Sequence, residues 1–248
     1  MENEFGAGKV LSQSVDVMKS NFPVMLLFAA LSYIPSLVGN VTGQSSALGT
    51  GLSAVLGYFL PLLLQGAMVY GVYQFLTGSP FSASRSFNMA LGRFWYLLGL
   101  ALIIFVLSLI GFVFLVIPGI IINLVLWVAI PAVMIEKVSI GDAMGRSKDL
   151  TSGRLWRILG LLFILSILYI LLSAVNITVY YALGAFSLDP EAMNEAMSLT
   201  ALLIATPVGI LTVGLGSAFF GVVVSVSYYA LRRDKEGIGV EDLASVFD

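Results

Sequence analysis

Two arginine–tryptophan pairs are the side chains best suited to chemistry in this 248-residue chain. Arg93 precedes Trp95, Arg154 precedes Trp156, and Arg157 follows; each pair stands where a polar stretch gives way to an apolar run. A guanidinium is a planar fork of donors that matches phosphate, and an indole settles at the boundary of water and hydrocarbon. The chemistry this allows is the holding of lipid headgroup phosphates, and the same residues would equally serve as orientation anchors at helix ends. A second set is uncharged. Gln65, Asn123 and Asn176 lie inside apolar runs, where an amide either lines a polar cavity or bonds a neighbouring helix for about 1 kcal/mol.

Catalysis is not expected. The chain has no histidine and no cysteine, which removes the commonest general base, the thiol nucleophile and the usual transition-metal ligands. A Gly-rich phosphate loop and a serine with an evident base are also missing. The charged residues fall outside the apolar runs or at their ends, as Glu136, Lys137 and Arg157 do, whereas ion-coupled transport and intramembrane catalysis need ionisable groups in the membrane. No enzyme activity, cofactor, metal or nucleic-acid partner is therefore expected. Membrane lipids are the expected partners, together with a membrane or cytoplasmic protein that sequence does not identify.

The elements that position these residues follow from composition. With 59% hydrophobic residues, 10% charged and a mean hydropathy of +1.01, the chain is too apolar for a soluble domain, whose charged fraction is about 25%. About 20 apolar residues cross a bilayer as a helix. Residues 22–38, 53–76, 94–117, 120–138, 156–181 and 201–231 meet or approach that length, which predicts an all-α, polytopic integral membrane protein with six transmembrane helices. Pro118 and Gly119 would form the hairpin turn between the third and fourth spans, and Pro131 and Pro207 would kink the fourth and sixth. Ser217, Gly221 and Ser225, four residues apart, predict close helix packing. Asp189-Pro190-Glu191 would open a short outer helix, with proline at its first position.

Basic residues cluster before the first span and after the second, fourth and sixth, and the connections after the first, third and fifth hold none. By the positive-inside rule both termini are cytoplasmic. The opening MENEFGAGKV has no basic region leading into an apolar core, so no cleavable signal is expected.

An internal repeat organises the six spans. A shift of 61 residues sets SRSFNMALGRFWYLLGL, from Ser84, on GRSKDLTSGRLWRILGL, from Gly145, and pairs Arg85, Ser86, Gly92, Arg93 and Trp95 with Arg146, Ser147, Gly153, Arg154 and Trp156. A fainter third copy places Leu11, Val15, Met18 and Phe22 on one helical face. Each copy reads as an amphipathic elbow helix lying in the interface, whose glycine permits the bend into a transmembrane hairpin. The chain is thus one membrane domain, 1–248, of three pseudo-repeated units, 7–77, 79–138 and 140–233, with a cytoplasmic tail at 234–248.

The IPGI turn, Pro131 and the segment DAMGRSKDLTSGRLWRILGL resemble the bacterial six-span family of glycerophosphoryl diester phosphodiesterase membrane domains and their uncharacterised relatives. The matching positions are Ala143, Arg146, Ser147, Leu150, Gly153, Trp156 and Arg157, within residues 94–165. Asn123 departs from the pattern, near where relatives carry a basic residue. The resemblance implies the membrane part alone. Phosphodiesterase activity belongs to a separate barrel with catalytic histidines, which this chain lacks. The expected function is a non-catalytic membrane module that organises lipid or a partner protein through its cytoplasmic interfacial helices. The alternative is a transporter or channel for a small uncharged or lipidic solute, with a cavity near Gln65, Asn123 or Asn176.

Overall fold

The computed structural model describes residues 5–42, 47–114, 116–183 and 199–237, and every regular element among them is helical. In chain order they are α1 (Ala7–Ser20), α2 (Phe22–Thr42), α3 (Ala47–Leu76), α4 (Ala83–Gly92), α5 (Phe94–Phe114), α6 (Val116–Val125), α7 (Ala129–Pro131), a π-helical turn (Ala132–Glu136), α8 (Ile140–Thr151), α9 (Leu155–Ala182), α10 (Leu199–Gly209), a second π-helical turn (Ile210–Gly214) and α11 (Leu215–Glu236). Six helical segments are long and apolar enough to cross a membrane, so this is a multi-pass membrane protein. The expected outer helix at Asp189-Pro190-Glu191 lies outside the described residues.

Two compact units form: one of Met1–Asn21, Leu62–Phe163 and Gly221–Asp248, the other of Phe22–Pro61 and Ile164–Phe220. In the first, α11 supplies the core, where every residue from Gly221 to Tyr228 is buried. Gly221 admits α3, since a Cβ there would stand 2.9 Å from Met68 Cγ. Ser225 is buried beside it and donates to the Gly221 carbonyl at 2.7 Å. Ser217, predicted to share this packing, is exposed and bonds its own helix at Val213 O.

The face that α1 turns inward is not the apolar set read from the sequence. Val10, Ser14 and Val17 are buried, while Val15 and Phe22 are exposed and Leu11 and Met18 partly so. Ser14 tolerates burial because its hydroxyl donates to Val10 O at 2.7 Å, one turn back along the same helix. Ser86 does the same on α4, donating to Ser82 O at 2.8 Å.

The third and fourth spans meet differently from expectation. α5 ends at Phe114 and α6 begins at Val116, so Pro118 and Gly119 lie inside the first turn of α6 and do not form the hairpin turn. Proline is tolerated there because the first amides of a helix have no intrahelical acceptor. Gly119 serves close packing instead: a Cβ on Gly111 of α5 would fall 2.8 Å from the Gly119 Cα.

Span four is also broken earlier than Pro131. α6 stops at Val125, a turn occupies 126–128, and Pro131 sits within α7 ahead of the π turn. The backbone groups released by the break are bound by α8. Ser147 Oγ donates to Val125 O at 2.7 Å and accepts from Val128 N at 3.2 Å, and Thr151 Oγ1 adds a bond to Val125 O at 3.2 Å. α8 thus completes the fourth span. Ser147→Ala is expected to destabilise the fold by about 1–3 kcal/mol, because it leaves a buried amide unsatisfied. Ser86→Ala removes only a self-bond and should cost less; equal losses of unfolding midpoint in detergent would refute this difference.

In the second unit, α2 packs on the π turn Ile210–Gly214. Gly214 lies flush on the Ala29 backbone, and Gly209 lies under the Tyr33 ring. Tyr33 and Tyr180 share a hydroxyl hydrogen bond of 3.3 Å. Pro207 precedes this π turn, as Pro131 precedes the other.

Candidate functional site

The candidate anchors divide by residue type. Trp95 and Trp156, at the starts of α5 and α9, are 76% and 85% exposed. Their neighbouring arginines turn into the protein. Arg93, the residue between α4 and α5, donates from Nη2 to Val138 O at 2.8 Å and lays its guanidinium 4.4 Å from the Tyr96 ring centre. Arg154 pairs with Asp234 at 2.7 Å, and Arg157 donates to Phe5 O at 2.7 Å, holding a phenylalanine that is wholly buried.

Local backbone explains part of this arrangement. At α8–α9 the bend falls on Gly153, whose φ of +76° favours glycine. At α4–α5 the aligned Gly92 is the last helical residue and the bend falls on Arg93, with φ −113° and ψ 15°, so glycine is not required there.

Two of the three candidate cavity residues are engaged locally. Asn123 Nδ2 donates to Ser108 Oγ at 3.0 Å and to Gly119 O at 2.8 Å, stitching α6 to α5. Asn176 Nδ2 reaches Thr212 Oγ1 at 3.4 Å in the second unit, and Gln65 is half-buried in α3.

A side-chain network that sequence reading missed lies in the first unit. Glu136 ends the π turn and accepts from Arg146 Nε at 2.8 and 3.1 Å and from the Tyr228 hydroxyl at 2.5 Å. Arg146 also pairs with Glu236. Arg232 binds Glu236 at 2.9 Å and reaches the Tyr73 hydroxyl at 3.3 Å. The set balances two carboxylates with two guanidiniums and ties the end of span four to α8, α3 and the end of α11. Only the Arg232–Glu236 spacing of four residues was visible as a helical pair. A closed, neutral set of this kind joins helices; it offers no unpaired carboxylate for proton or metal chemistry, and among the described residues no group of acids is arranged to hold a metal.

Comparison with protein-family models, with curated proteins and with solved structures finds no match to this chain. The resemblance noted between residues 94 and 165 rests on its quoted positions. Those positions have distinct structural duties: Ala143 and Leu150 are buried, Ser147 binds the broken span, Arg146 joins the carboxylate network, Gly153 makes the bend, and Arg157 holds Phe5.

Proposed function

We propose that the chain is a non-catalytic inner-membrane module, with both termini cytoplasmic, whose short helices lie at the cytoplasmic interface and organise lipid. The observation that carries this reading is the three-way division of α1. Val10, Ser14 and Val17 are buried, Leu11, Val15 and Met18 form an apolar face about 100° round the helix, and Lys9, Ser12, Asp16 and Lys19 form a polar exposed face about 100° further on. A helix in contact with protein, hydrocarbon and water at once needs those three faces in that order.

α4 follows the same order: Ser86 and Ala90 buried, then Phe87 and Leu91, then Arg85 and Asn88. This shared order supports reading α1 and α4 as a repeated elbow. α8 departs from it, because its outward residues, Gly145, Lys148 and Asp149, are polar or small. The outward Trp95 and Trp156 fit the interface, where indoles concentrate.

Native mass spectrometry of the protein released gently from its membrane tests the reading. Retained lipid, reduced when Trp95 and Trp156 are both replaced by alanine, is expected. A lipid-free species carrying a stoichiometric protein would replace lipid with a partner protein as what the helices organise.

One observation favours a second reading, transport of a small uncharged or lipidic solute. Two spans carry π turns behind Pro131 and Pro207, and π turns within helices are frequent at functional sites. Proteoliposomes that swell in polyol gradients no faster than empty vesicles would dismiss it.

A further inference from the structure

We infer that α1 and α4 select anionic phospholipid headgroups through Lys9, Lys19 and Arg85. The inference rests on the interfacial placement proposed above and adds the class of lipid. It starts from how charge is divided in the first unit. The half-buried acids are neutralised inside the protein: Glu136 and Glu236 by Arg146 and Arg232, and Asp234 by Arg154. These arginines are therefore occupied, and the cations that face outward are others. On α1 and α4 the exposed cations are Lys9, Lys19 and Arg85, against one exposed acid, Asp16.

Position gives these charges a target. Lys9 and Lys19 sit on the polar face of α1 beside its apolar face, and Arg85 stands on α4 on the far side of Asn88 from Phe87 and Leu91. With the apolar faces in the acyl region, all three cations reach the depth of the phosphates. Lys9 and Lys19 lie about 15 Å apart along the helix, at about 1.5 Å per residue, so each meets a separate headgroup. The occupant is an anionic lipid and not an acidic protein, because Lys19 borders the lipid-facing side chains and Lys9 and Arg85 lie on the polar faces that adjoin them.

The test uses the full chain in nanodiscs of mixed zwitterionic and anionic phospholipid, with native mass spectrometry reading the lipids that remain bound. Near an anionic surface one Lys or Arg is worth about a fivefold preference, so the retained lipid should be enriched in the anionic species by about that factor over the bulk ratio. Lys9→Gln, Lys19→Gln and Arg85→Gln together should return the ratio to bulk while lipid is still retained. Raising salt on the unaltered protein should shrink the enrichment in the same way, with no variant needed. Lipid retained at the bulk ratio by the unaltered protein would overturn the headgroup selection and leave the interfacial reading standing. Loss of all lipid would overturn both.

Discussion

Glu136→Ala should destabilise the protein by about 3 kcal/mol, among the largest effects of any single side-chain truncation in the first unit. The carboxylate accepts from Arg146 and from Tyr228, whose side chain is buried in the α11 core. Removing one partner of a buried ion pair costs about 3–5 kcal/mol. Arg146 and Glu136 are 28% and 20% exposed, and Glu236 still pairs with Arg146, so the ionic loss falls below that range. The stranded Tyr228 hydroxyl adds about 1–3 kcal/mol. Glu136→Gln keeps an oxygen for Tyr228 and should cost about half as much.

Because the two contacts share one carboxylate, Glu136→Ala combined with Tyr228→Phe should cost less than the sum of the single changes. Unfolding monitored in detergent would measure the four proteins. Additive losses would show that the tyrosine and the glutamate act independently, against the network described here.

Gly214→Leu should separate α2 from the π turn of the sixth span. A Cβ at Gly214 would lie 2.7 Å from the Ala29 carbonyl oxygen and 3.1 Å from its carbonyl carbon. Those are backbone atoms and cannot rotate away, so the helices must move apart, forfeiting the packing of Tyr33 over Gly209 as well. Overpacking a tight contact costs about 1–3 kcal/mol, and a leucine against backbone belongs at or beyond the upper end.

Gly160→Ala is the control. Nothing lies within 4 Å of a Cβ there, and replacing an interior helical glycine by alanine gains up to about 1 kcal/mol. Equal sensitivity at the two positions would refute the close approach at Gly214.

The 61-residue shift shows how far sequence identity carries. It sets Gly99 on Gly160, yet a Cβ on Gly99 would meet Ile140 at 2.7 Å while Gly160 is open. Ser86 and Ser147 are likewise aligned and both buried, but Ser86 bonds its own helix and Ser147 binds a neighbouring broken span. Matching residues mark matching helices; their partners come from whatever packs against them.

Sequence alone determined the class of the protein and the placing of its six apolar helices, because hydrocarbon leaves a backbone no partner but itself and the length of a span is set by the bilayer. It also marked the short helices ahead of the spans, through the periodicity of buried and polar residues. Tertiary structure decided which face of α1 turns inward, since a serine that bonds its own backbone is as acceptable inside as a valine. It put Pro118 and Gly119 inside α6 and not in a turn, because proline is as suitable for a helix start as for a turn. It placed the break of span four at 126–128, where the hydroxyls of α8 compensate the lost ladder. And it assembled Glu136, Arg146, Tyr228, Arg232 and Glu236, charges and hydroxyls far apart in the chain that only the packing of α3, α8 and α11 brings together.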